Sequence, residues 1–141
     1  MPVNESAVLD HLAAHGIKVA EVDLGGQAWG FYSHERRVIY LQAGMTAGAR
    51  LATLCHEALH WRRGDVGPQS RAVEDRIDEE VAAELVDMVE YAWAESQCGW
   101  STAGIAAALD LPKWTIRAYR RLLARERANP LAPSGRRRRA L

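Results

Sequence analysis

Hydrophobic spacing switches once from a helical period to an alternating one and then back. That switch limits the chain to a small sheet among helices. Residues 6–15 read as a short helix with Val8, Leu9 and Leu12 on one face, and Gly16 stands where a C-terminal glycine would stop it. Ile17, Val19, Val22 and Leu24 then alternate with polar positions, although Ala20 to Val22 breaks the register. Ala28–Ser33 and Arg37–Gln42 are rich in aromatic and β-branched residues. Gly25-Gly26 and Ser33-His34-Glu35 supply turns, so the pattern predicts a small antiparallel meander with its third strand, Val38–Leu41, lying against helices. After Thr46, a plausible N-cap, the period is helical again. It predicts helices over Ala47–Arg63 and Ser70–Gln97, separated by a loop at Gly64–Pro68, with Gly99 closing the second. Two shorter helices follow, Thr102–Leu109 and Lys113–Ala128. The predicted class is α+β, with a main domain over 1–98, a helical extension over 99–128 and a basic disordered tail over 129–141.

Charge divides along the same line. The formal net charge of zero conceals ten basic residues against one acidic from Lys113 onward, and eight against seventeen before it. Such asymmetry points to an interaction surface or tail. No apolar run approaches the roughly 18 residues of a membrane span. The start Met1-Pro2-Val3-Asn4-Glu5 lacks the basic and apolar regions of a signal peptide, so a cytoplasmic protein is expected. Two cysteines, Cys55 and Cys98, are too few for a disulfide scaffold or a cysteine zinc site. The five tryptophans fall mostly on apolar faces, and core packing is expected of them.

His56-Glu57-Ala58-Leu59-His60 is an H-E-x-x-H motif inside the second predicted helix. Spacing i, i+4 puts both imidazoles on one face, where they can hold one Zn²⁺ at about 2.0–2.1 Å. Glu57 is offset by one position and stands beside the metal as a base for bound water. Given this composition, chance produces such a motif with a probability of about 1%. A catalytic zinc needs three protein ligands and an open position. No histidine follows His60, so a carboxylate must serve. Glu74, separated from His60 by thirteen residues, is the leading candidate, and Asp75 is its rival. Glu79 and Glu80 lie further along the acidic helix face. Asp78, i+4 from Glu74, is placed to orient a ligand histidine.

These residues resemble the ImmA/IrrE family of metallopeptidases. The likeness covers about residues 8–95 and rests on Gly16-Ile17-Lys18-Val19, the Gly30 strand, Arg37–Leu41, Ala52–His60, Arg63-Gly64-Asp65 and Val81–Val86. The resemblance implies a zincin-like α+β domain of the kind found in small phage and mobile-element proteins, with activity directed at helix-turn-helix repressors. It makes His56 and His60 zinc ligands, Glu57 the catalytic base and a downstream acidic residue the third ligand. Alignment on Ile77-Asp78 makes that residue Glu74, and alignment on Val81-Ala82 makes it Asp75. The implied function is zinc-dependent endoproteolysis of a protein substrate, a DNA-binding repressor being a candidate.

Ile105 to Leu122 reads like a helix-turn-helix. Ala106, Leu109, Leu111, Ile116 and Leu122 fall at its packing positions, Pro112 opens its second helix, and Asp110 takes the turn position usually held by glycine. Lys113, Arg117, Arg120, Arg121 and Arg125 suit phosphate or partner contacts, with Arg136–Arg139 adding to them. A structural cap on the main domain competes with this reading. The alternative function is a non-proteolytic regulator that binds DNA or a repressor through this basic unit, its zinc site structural or vestigial.

Overall fold

The computed structural model describes residues 3–129, so the predicted tail lies, beyond Asn129, outside the described residues. The chain runs α1 (Glu5–Ala14), β1 (Lys18–Val22), β2 (Gly30–Ser33), β3 (Val38–Gln42), α2 (Ala47–Arg63), α3 (Arg71–Leu85), α4 (Met88–Cys98), α5 (Thr102–Leu109) and α6 (Lys113–Ala128). The class is α+β. Among the described residues no helix is long and apolar enough to cross a membrane.

The sheet is not an antiparallel meander. Its order is β1-β3-β2: β3 pairs parallel with β1 and antiparallel with β2. Ile39 and Leu41, both wholly buried, make β3 the most apolar strand, and it takes the centre while β2 goes to an edge. Alternation reports which face of a strand is buried but not which strand is its neighbour. Helix α2 begins and ends as expected, with the Thr46 hydroxyl accepting the Ala49 N–H.

The long helix expected over 70–97 is two helices. Val86 leaves the helical region at φ −90°, ψ 114°, and Asp87 caps α4 by accepting the Val89 and Glu90 N–H groups. The Asp87-x-x-Glu90 spacing resembles a capping box and was the available signal. Apolar periodicity masked it by continuing through the break. The tryptophans also depart from expectation. Trp29, Trp93 and Trp100 are 62%, 58% and 71% exposed, and Trp61 and Trp114 are only partly buried against the core. An indole can lie along a surface with one face wet, so an apolar helix position does not by itself bury it.

One core cluster joins α1, the sheet, α2 and α3 through Leu12, Ile39, Leu41, Leu54, Ile77 and Val81. A second joins Ala82 and Val86 to α4, α5 and α6 through Tyr91, Ile105, Ile116 and Tyr119. The α5–α6 pair thus shares its core with the end of α3. Its turn is pinned at Asp110, which sits in the left-handed region at φ 49° and accepts the Gly48 N–H at the start of α2. Helix α6 is fastened to α3 by charge. The buried Glu79 carboxylate accepts from Arg121 Nε at 3.1 Å and from Arg125 Nη2 at 3.0 Å. Asp75, 3.8 Å from Arg121 Nη2, is more exposed.

Burial decides which of these pairs matters. Replacing the buried Glu79 by alanine removes the carboxylate that both arginines share and is expected to cost about 2–3 kcal/mol. Asp75→Ala is expected to cost under about 1 kcal/mol. Urea unfolding of the two variants measures this difference, and equal costs would remove the charge clamp from the account of α6.

Candidate metal centre

Helix α2 presents His56 and His60 one turn apart, with ring centroids separated by 4.9 Å and Nε2 atoms by 3.2 Å. Helix α3 returns antiparallel to reach them. Ser70 caps it, accepting the Val73 N–H, and Glu74 lies in its first turn. Glu74 Oε2 stands 3.0 Å from His56 Nε2 and 3.2 Å from His60 Nε2. Asp75, a step further round α3, turns toward Arg121 instead. Of the two carboxylates the spacing left open, the structure therefore brings Glu74 to the histidines. Glu80 is exposed, and Glu79 is held by α6.

Among the described residues, His56, His60 and Glu74 form a group that could hold a metal ion. A tetrahedral ion with bonds of about 2.0–2.1 Å spaces its ligand atoms roughly 3.3–3.4 Å apart. The three observed separations of 3.0, 3.2 and 3.2 Å come close to that. The other side of each ring completes the fit. His60 Nδ1 bonds Asp65 Oδ2 at 2.9 Å, and His56 Nδ1 stands 2.9 Å from Asp78 Oδ1. Both carboxylates favour the Nδ1–H tautomer and so turn the Nε2 lone pairs inward. Lone pairs brought this close repel one another unless a cation or a proton lies between them.

Asp78 stands where the spacing placed it, but Asp65 was not singled out for this task. Its position follows from how α2 ends. Gly64 adopts φ 75°, its N–H bonds the Trp61 carbonyl, and the Asp65 N–H bonds the His60 carbonyl. This is a Schellman turn, and it folds Asp65 back onto the last ligand of the helix. The signal was a Gly-Asp pair starting four residues after His60. Burial opposes ionisation of Asp65, yet hydrogen bonds from His60 and Arg63 hold its carboxyl below the ordinary value.

Two more groups are shifted. Burial disfavours the His56 imidazolium, but Asp78 first, then Glu57 and Glu74, outweigh it and raise the pKa above the ordinary value. Glu57 is buried, and desolvation raises its carboxyl against the opposing pull of both histidines and of the Tyr32 N–H that donates to it. Cys55, one residue before the motif, lies in the core, where burial pushes its thiol up to about 12. It is a packing residue.

The site opens into a cavity of about 270 Å³ lined by Tyr32, Glu57, Pro68 and the three grouped residues. The edge strand β2 forms one side of it. Gly30, at the start of β2, lets that strand run close over α2: a Cβ there would lie 2.6 Å from Thr53 Cγ2 and 3.2 Å from Glu57 Cγ.

The basic residues of α6 divide. Arg120 donates to the Tyr91 hydroxyl, the Thr102 hydroxyl and the Trp100 carbonyl, and its guanidinium lies 5.2 Å from the Trp100 ring centroid. Arg121 and Arg125 are paired with Glu79. Lys113 and Arg117 are exposed. The helix also brings Trp114 to the metal group, its ring edge-on to His56 at 5.6 Å between centroids. Nothing in the sequence pattern had joined the C-terminal helices to this site.

Ligand and support roles predict a graded response. His60→Ala and Glu74→Ala should each abolish zinc retention at one ion per chain, and Asp75→Ala should leave it intact. Asp65→Asn should weaken binding about 10–100-fold. Zinc competes with protons for His56, whose raised pKa moves that competition upward. Affinity should therefore begin to fall above the ordinary histidine value as pH is lowered, by about tenfold per pH unit once one proton must be displaced. Chelator-competition titrations across pH read both effects. Comparison of the chain with protein-family models, with curated proteins and with solved structures finds no match, so the geometry and chemistry of these side chains carry the functional reading.

Proposed function

We propose that this chain is a zinc-dependent endopeptidase of the ImmA/IrrE type. The observation that carries the reading is the convergence of two Nε2 atoms and one carboxylate oxygen beside a buried glutamate at the foot of an open cleft. Among the described residues the group offers three ligand atoms, which leaves a coordination position for water or substrate. A fourth protein ligand would instead favour a purely structural ion.

A zinc ion held there supplies a Lewis acid for a peptide carbonyl and a means of acidifying water near neutral pH. The chain's own groups handle the proton. Glu57 takes one from the attacking water and returns it to the departing amine. Its buried position suits this exchange, because desolvation raises its basicity while the Tyr32 N–H orients the carboxylate. Asp65 and Asp78 keep the imidazoles aimed through their Nδ1 atoms. The exposed edge of β2 lies along the cleft, where an extended peptide can add its own backbone hydrogen bonds. A folded protein with an extended loop or linker, such as a DNA-binding repressor, is the substrate class proposed. The internal pairing of Arg120, Arg121 and Arg125 favours this reading over a DNA-binding role for α6.

The test separates chemistry from metal binding. Glu57→Gln should retain one zinc per chain and lose about 10²–10⁴-fold in cleavage of a peptide library read by mass spectrometry. Undiminished cleavage by this variant would overturn the mechanism.

A further inference from the structure

A second hollow of about 230 Å³ adjoins the cleft across His56 and Glu57. It shares Gly30, His56 and Glu57 with the first cavity and is otherwise lined by Trp29, Thr53, Asp78 and Trp114. The reacting groups thus lie between two recesses, and the second is lined by two indoles from opposite ends of the chain. Trp29 precedes the edge strand and is 62% exposed. Trp114 is set beside His56 by α6, which the Arg121–Glu79–Arg125 cluster holds on α3.

We propose that this hollow is a specificity pocket that takes one large apolar side chain, aromatic or leucine-like, next to the bond to be cut. The proposal rests on the peptidase reading and names the substrate feature it selects. Size supports a single side chain, since sites for whole drug-sized ligands run to roughly 300–1,000 Å³. Chemistry supports an apolar one. Indole faces and the Thr53 methyl give such a side chain contact area, and aromatic rings add edge-to-face attraction. Carboxylates at the inner end do not call for a cation, because Asp78 already stands on His56 Nδ1 and Glu57 receives the Tyr32 N–H. A bound divalent metal next door would further repel an ammonium or guanidinium. Gly30, His56 and Glu57 line both hollows, so a substrate held at the reacting groups can place a side chain in the second recess.

Binding without turnover tests the pocket. The full-length, zinc-loaded protein is titrated with N-acetyl-phenylalaninamide, N-acetyl-lysinamide and N-acetyl-alaninamide while the indole N–H resonances of Trp29 and Trp114 are followed by NMR. The phenylalanine probe is expected to shift both resonances saturably and to bind at least about tenfold more tightly than the alanine probe. Trp29→Ala, at an exposed position that leaves the fold intact, should reduce that preference to about twofold or less, and Trp114→Ala should do the same. An equal response to alanine, a stronger response to lysine, or an undiminished preference in Trp29→Ala would overturn the proposal. The peptidase reading fails separately, through cleavage that survives Glu57→Gln, so the two failures are distinguishable.

Discussion

Helix α3 carries more negative charge than a helix in the middle of a small domain can leave uncompensated, and the molecule is arranged around neutralising it. On one side Glu74 and Asp78 meet the imidazoles of α2. On another, Asp75 and the buried Glu79 meet the guanidinium groups of α6. Burying a carboxylate is costly without a partner, and adjacent residues on a helix point some 100° apart. The four acids must therefore draw their partners from two different elements.

That requirement links the metal group to the C-terminal helices. Because α6 is fixed on α3 by Glu79, its N-terminal part reaches the far side of the site, and Trp114 comes to rest against His56. The Asp110 turn adds a second anchor at the start of α2. What resembles a free helix-turn-helix in sequence here contributes Trp114 to the hollow beside the cleft, with Arg120, Arg121 and Arg125 held in internal contacts.

Some of the centre was plain in the sequence because it depends on local geometry alone. Positions i and i+4 of a helix lie on one face whatever surrounds them, so His56 and His60 were legible together, as were Glu74 and Asp78. The limits of α2, α5 and α6 were legible for the same reason, through Thr46, Gly64, Asp110 and Pro112. Asp65 was readable in principle from the Gly-Asp pair after the motif. Strand order and the break at Val86-Asp87 were hidden, the first because alternation carries no pairing information and the second because apolar spacing persisted across the cap.

The sequence by itself determined that this chain is α+β, that two histidines share one turn of a helix, and that a carboxylate from the next helix must complete any three-ligand set. Local backbone periodicity suffices for each of these. Only the tertiary structure decided between Glu74 and Asp75, because the choice depends on how α3 is rotated about its axis, and packing against α2 and α6 sets that rotation. Packing likewise sent β3 to the centre of the sheet, left three tryptophans on the surface and brought Trp29 and Trp114, 85 residues apart in the chain, to one hollow.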